Sequence, residues 1–526
     1  MSKRIHTPGS WLGTLAVAVA GAAGALLVAA PAGATPTPLK PPALPGVAPL
    51  PGPVAPASKP AAQMGVLKTT PDIGVAGTGF TLAGAGLPAN ADVRIVWNTA
   101  NVTWVVDARP DGVDYLGRKA EKTAVVLATT TTSAGGAFSL QLKAPRDFGG
   151  IHDIYALVDG VQMAKGGFLI SRSATMTPKK GRIGTMITLK YTGLGSSLYE
   201  GGAALYYDNK YIGAVMANWT RGEAIVRFRA SGPVGRHIIN IGDAITVDYL
   251  NIQQSPIPWA NGAKFSFKVT KDAGRPAPRI DWPANVAPTL DAPTTLQEIG
   301  LNDQSSATME LSSTSGPVLS KVDVSTGGLK PNTPVDLVWS TVVGNRVNCT
   351  GACWSFVSVP LVSGTASASG TLTTSVAVPD GLGGWHVVQA LQGGKVMGQQ
   401  PYFVKRSVVG NGVSVLKMKA GSHFTVHLKG VGWTQLDNTI AVDYDNSYVG
   451  YGCGFNSNGD VVMNLIATGA PGTHLIDMYP LLYTQQPSYA NTPYGMVPVL
   501  TYAQDVPGLA LGYQLPAIRL AITVVK

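Results

Sequence analysis

Residues 174–195, ATMTPKKGRIGTMITLKYTGLG, decide the fold. From Thr185 onward, Ile187, Leu189 and Tyr191 alternate with Thr188 and Lys190, the two-residue period of a strand with one face buried. Gly181, Gly184, Gly193 and Gly195 punctuate both ends. Further on, ALYYDNKYIG (204–213) carries Asp208-Asn209, suited to a tight hairpin because Asn tolerates positive φ and Asp bonds neighbouring backbone. Residues 224–230 and 265–271 alternate in the same way. Strands of this length, broken by Gly, Asn and Pro, make a sandwich of about 100 residues.

The block occurs twice. Gly184, Thr188, Gly193 and Gly195 match Gly421, Thr425, Gly430 and Gly432 without a gap. In the same register Tyr207-Asp208-Asn209-Lys210-Tyr211 matches Tyr444-Asp445-Asn446-Ser447-Tyr448, and Gly235-Arg236-His237 matches Gly472-Thr473-His474. A second pair precedes each copy: VRIVWNT (93–99) answers VDLVWST (335–341), and Gly149-Gly150-Ile151-His152 answers Gly383-Gly384-Trp385-His386. One register held over so long a stretch is a tandem duplication. The expected fold is all-β, four tandem immunoglobulin-like β-sandwiches arranged as a duplicated two-domain unit: 66–173, 174–271, 305–407 and 408–526. The 63 glycines and 38 prolines in 526 residues agree, since both residues break helix interiors.

With these residues on the page, the chain resembles secreted bacterial immunoglobulin-like sandwiches of the IPT/TIG type, which open on a Pro, then Gly-x-x-Gly-Thr, then Gly-x-Gly. Pro178, Gly181, Gly184-Thr185, Gly193 and Gly195 fit that pattern. The 408–526 block keeps the later glycines and lacks the proline; the 66–173 and 305–407 blocks keep only the Gly-Leu and Val-x-x-Val-Trp elements. The resemblance implies a secreted or surface-exposed protein that adheres or spaces. It names no ligand, because one sandwich fold carries many functions.

The ends agree with export. Lys3 and Arg4 precede an uncharged run from Trp11 to Ala30, closing on Ala32-Gly33-Ala34, the pattern of a cleaved signal peptide over 1–34. A retained anchor is the competing reading, and the Ala- and Gly-rich run is weakly apolar for one. No later stretch is long and apolar enough for a stable membrane span. Residues 35–65 and 272–304 are Pro-rich and read as linkers. Net charge is +10, with Lys and Arg scattered, which argues against nucleic acid as a partner and allows attraction to anionic wall polymers. Cys349 and Cys353 flank a Thr-Gly-Ala turn, and a local disulfide is expected there in an oxidising compartment, leaving Cys453 as a buried thiol or an intermolecular link.

Enzyme signatures are missing: no nucleophile elbow, His-Glu-x-x-His, phosphate loop or dinucleotide fingerprint occurs. No cofactor or metal is called for. The recurring Gly-x-His at His152, His237, His386 and His474 reads as a structural position, since single histidines far apart do not chelate. The most specific feature is the Tyr-Asp-Asn hairpin. Its functional reading makes Tyr207, Tyr211, Tyr444 and Tyr448 stacking platforms, with Asp208, Asn209, Asp445 and Asn446 as polar contacts, for a cell-wall polymer, polysaccharide or surface protein. The competing reading, a turn that fixes register, is favoured. The stretch after Gln485-Gln486 is longer than that after Gln253-Gln254 and includes PSYANTPYGMVPVLTYAQ, either a contact surface or a lid over its own sandwich. The function expected is non-catalytic, at the cell surface or in an extracellular matrix. Rival readings are a carbohydrate-binding module, a self-associating fibre subunit marked by unpaired apolar strand edges, and a secreted hydrolase.

Overall fold

Residues 173–269 show how the alternation becomes a sandwich. Ser173–Thr177, Met186–Thr192 and Ala224–Arg229 form a three-stranded antiparallel sheet. Across it lie Lys180–Gly181, Ala263–Val269, Gly235–Ile241, Gly202–Tyr207 and Lys210–Met216, in that order, as a five-stranded sheet. Ile187, Leu189, Val226 and Phe228 from one sheet meet Leu205, Tyr207, Ile239 and Phe267 from the other, all buried. The chain crosses between the sheets at Pro178, so Lys180–Gly181 joins the second sheet in parallel with Ala263–Val269. That order is the immunoglobulin-like one.

The computed structural model describes residues 37–38, 49–109, 112–197, 200–242, 251, 253–254, 262–284, 300–301, 305–344, 354–482 and 497–526. The leader over 1–34, the Cys349–Cys353 bridge and residues 285–299 of the second linker lie outside them. Among the described residues there is no α-helix, and none long and apolar enough to cross a membrane.

The three-plus-five pattern recurs. Thr308–Leu311, Lys321–Gly327 and Leu372–Ala377 face Ser315–Gly316, Lys395–Val404, Gly384–Gln392, Pro334–Gly344 and Trp354–Thr365. Ser407–Val413, His423–Lys429 and Val461–Ile466 face a sheet built on Ala517–Val525, Gly472–Leu482, Thr439–Tyr444 and Ser447–Cys453. Toward the N-terminus, Lys59–Thr70 pairs with Gly79–Gly84 on one side and Val161–Ile170 on the other, so both layers there run together as one nine-stranded sheet. Trp97, Tyr207, Trp339 and Tyr444 fill the same interior place in turn.

The Pro-rich stretches are more ordered than their composition suggests. Lys59–Thr70 begins inside the first of them, Ala55 N donates to Ala124 O, and Val126 N donates to Pro53 O. Their apolar period is hidden because the packed residues are small: Gly65 lies against Ala164. In the second, Arg279–Asp281 adds a strand to Ala517–Val525, Asp272 accepts a hydrogen bond from Thr473 N, and Lys405 Nζ lies 5.5 Å from the centre of the Trp282 ring.

The two copies are not beads on a string. Residues from Thr35 to Lys526 pack as one compact unit. A central cluster gathers Trp104, Trp219, Trp385, Trp433, Leu509 and Tyr513, drawn from the nine-stranded sheet and from the segments of all three sheet pairs.

Candidate functional site

Both Tyr-Asp-Asn hairpins turn as the sequence predicts. Asp208 and Asn209 have φ of 50° and 62°, Asp445 and Asn446 of 49° and 60°, the paired positive values of a type I′ turn. A register shift falls at the equivalent place in each, between Leu205 and Tyr206 and between Val442 and Asp443.

The side chains then depart from a surface site. Tyr207 and Tyr444 lie inside their sandwiches, and their hydroxyls donate to Ser231 O at 2.9 Å and Thr468 O at 2.8 Å. Their position in the alternation decides this: Ala203, Leu205 and Tyr207 share the inward face. The aspartates reach across to the next strand rather than to neighbouring backbone. Asp208 accepts from Ile238 N at 2.8 Å, and Asp445 from Leu475 N at 2.9 Å. Their second oxygens meet His237 Nδ1 at 2.5 Å and His474 Nδ1 at 2.6 Å.

That contact explains the recurring histidine. In all four places the ring stacks on the interior aromatic: His152 on Trp97, His237 on Tyr207, His386 on Trp339, His474 on Tyr444. In all four, Nε2 meets a carbonyl four residues back: Phe148, Pro233, Leu382 and Ala470. The histidine ties a turn to the central strand. What Nδ1 meets differs among the four. His386 meets only carbonyls, and burial depresses its pKa to about 4. His474 is also opposed by burial, but the hydrogen bond and charge of Asp445 raise it above the ordinary value.

The two hairpin tips differ. Asp208 and Asn209 are exposed, whereas Asp445 and Asn446 are buried. Asn446 Nδ2 donates to Arg229 O at 2.8 Å and Ser231 Oγ at 2.9 Å, so the second tip is plugged into the first copy. Tyr211 and Tyr448 meet edge to face at 6.5 Å. The structure therefore brings these two of the eight predicted residues together and draws the others into the fold or onto separate surfaces.

Around that plug lies a polar lock that sequence reasoning missed. Arg229 Nη2 pairs with Asp477 Oδ1 at 2.5 Å and donates to Leu520 O at 2.6 Å. Arg519 holds Asp477 at 3.3 Å, Asp281 at 3.2 Å and the Tyr479 hydroxyl at 2.7 Å, and donates to Arg227 O at 3.1 Å. Asp443 stands opposite Asp477 in the strand register, wholly buried, with no hydrogen-bond partner for either oxygen among the described residues. Burial and the Asp477 charge hold its carboxyl well above the usual range, against the pull of Arg519. The extra C-terminal stretch completes the lock. Leu500 N donates to Ala214 O at 2.9 Å. Asp505 accepts from Asn218 N at 2.5 Å, Trp219 N at 3.1 Å and Trp104 Nε1 at 3.3 Å. Burial pushes Asp505 up to about 6, while those hydrogen bonds pull it down. The described part of this stretch lies on its own sandwich, where Val497–Pro498 pairs with Gly472–Leu482, and against the first copy as well. Its extra length was the one signal available. Cys453 is exposed, not buried. Among the described residues no three His, Cys, Asp or Glu side chains are placed to hold a metal ion.

No protein-family model matches the chain, and no curated protein does. Among solved structures it is similar to invasin, titled a bacterial integrin-binding protein, at 11% identity and a TM-score of 0.18, covering 81% of this chain and 78% of that one. It is similar to a putative membrane anchored protein from Corynebacterium diphtheriae at 12% identity and a TM-score of 0.16, covering 64% and 90%. A Salmonella alpha-2-macroglobulin matches at 10% identity and a TM-score of 0.16 over 88% of this chain, which spans 31% of that protein's length. Likeness at this level extends no function to the chain.

Proposed function

We propose that the chain is an exported, non-catalytic protein of the cell surface or extracellular matrix, with four IPT/TIG-like sandwiches bounded as the duplication suggests. One observation carries this reading. The polar groups of the second Tyr-Asp-Asn hairpin, and the tyrosine and carboxylate of the first, bond within the chain, so the most specific motif is spent on architecture. The buried carboxylates Asp477 and Asp505 likewise join the two copies. A body braced in this way suits holding and spacing, and it binds through its outer strands. The leader-like start of the sequence supports export, and the scattered positive charge supports an anionic wall polymer as a partner.

The test is to incubate residues 35–526 with purified cell walls and wall polysaccharides. Retention on walls, lost with rising salt and untouched by Tyr207→Phe, is the expected result. Hydrolysis of the polymers, or the absence of any retention, would overturn it.

A further inference from the structure

The contact between the copies runs one way. The second copy offers its hairpin tip and the outer face of its seven-stranded sheet; the first receives them on its strand Ala224–Arg229 and the adjoining strand Lys210–Met216. A contact between two different patches of like units is heterologous, and it leaves one tip and one receiving edge unused. Both are on view. The unused tip is Asp208-Asn209, exposed, with Asn209 in the same left-handed conformation as Asn446. The unused edge is Val461–Ile466 with Thr468, where Val462 is 57% and Ile466 48% exposed.

The second copy also carries an open groove of about 700 Å³ between Ser447–Cys453 and Val461–Ile466, lined by Val449, Tyr451, Val462 and Met463. Its counterpart in the first copy is filled: Leu500 N bonds Ala214 O, and Gln504 accepts from Ile225 N at 3.2 Å. Ala214 and Ile225 correspond to Tyr451 and Val462. Ser447–Cys453 is moreover the terminal strand of its sheet, a position that accepts a further chain.

The residue exchanges between the copies favour one occupant. Ser231, which receives Asn446, corresponds to Thr468, so the hydroxyl is kept. Arg229 corresponds to Ile466; Asp477, with which it pairs, and Asp443, opposite Asp477 in the register, correspond to Asn240 and Tyr206. Arg229 and the two acids thus lose their charge together, so an isoleucine meets Tyr206 and Asn240; Lys264, which stands opposite Asn240 as Arg519 stands opposite Asp477, stays exposed on the same face. Exposed Ile238 adds apolar surface to the same face.

We propose that the occupant is a second copy of this chain. The Asp208-Asn209 tip of one molecule seats on the Ile466–Thr468 edge of the next, Asn209 Nδ2 donating to Ile466 O and Thr468 Oγ1. Each added copy presents the same tip and edge again, so association continues head to tail. The inference rests on the reading of the protein as a non-catalytic surface component.

Sedimentation velocity on residues 35–526 over a wide concentration range tests it, with Asn209→Ala to disable the tip and Ile466→Arg to disable the edge. Both sites are exposed, and unchanged melting curves report intact folding. The wild type should form species that lengthen with concentration, and each variant alone should stay monomeric. A mixture of the two variants should give a one-to-one dimer and nothing larger, because only one good tip and one good edge remain to meet. A wild type monomeric throughout, or assemblies indifferent to both variants, overturns the proposal. A monomer that still binds walls removes the assembly and leaves the proposed function standing.

Discussion

Replacing Arg229 by Met should separate the two copies energetically. The substitution keeps the apolar stem but removes the ion pair to Asp477 at 2.5 Å and the hydrogen bond to Leu520 O at 2.6 Å, at a site where both charged groups are buried. Breaking such a pair by removing one partner costs about 3–5 kcal/mol, because a charge is left behind in a poor solvent. Arg519 still stands 3.3 Å from Asp477, which places the loss near the lower end, about 3 kcal/mol. Denaturant titration followed by calorimetry of residues 35–526 is the assay. The wild type should lose both copies together, and Arg229→Met should split the transition, with the lower-melting part shifted down. The double variant Arg229→Met/Asp477→Leu should recover part of the loss: the apolar pair needs no counter-charge, while Arg519 keeps its ion pair with Asp281 and loses the one with Asp477. A single variant within about 0.5 kcal/mol of wild type, the range of a neutral surface change, would refute the lock.

Three further outcomes follow. His386 is depressed to about 4 by burial, so its neutral form is the folded one; stability should fall as pH drops from about 6.5 to 4, by up to about 3 kcal/mol, and a melting series against pH should show that loss. His474 runs the opposite way: its raised pKa adds stability that is full below about 6.5 and is lost as pH rises through the folded value, and His474→Gln should abolish that slope. Asp505, pushed up to about 6, makes stability decline from about pH 4 to 6 and level off above; Asp505→Asn should flatten that region while weakening the contacts to Asn218, Trp219 and Trp104, both read from melting temperature against pH.

Much of this fold was legible in the sequence, for reasons that particular residues make plain. Ile187, Leu189 and Tyr191 alternate because one face of their strand is buried, and Asp208-Asn209 and Asp445-Asn446 turn because their backbones accept positive φ. Even the burial of Tyr207 was readable from its phase with Leu205. What local pattern does not carry is pairing at a distance. Nothing around Arg229 points to Asp477, and nothing around Asp208 points to His237. The strand Arg279–Asp281 was masked by the prolines beside it, and it forms because Ala517–Val525 offers it an edge. The difference between the two hairpin tips was out of reach as well, since the motifs are almost identical and only the partner of one tip distinguishes them.

Hydrogen exchange followed by mass spectrometry, on protein dilute enough to be monomeric, tests the one-way joining of the copies most directly. Exchange reports local opening at each tip separately. The tip at 445–447 and its receiving residues 227–231 should exchange among the slowest, while the matching 208–210 and 464–468 exchange quickly. Equal rates at the two tips would contradict the account.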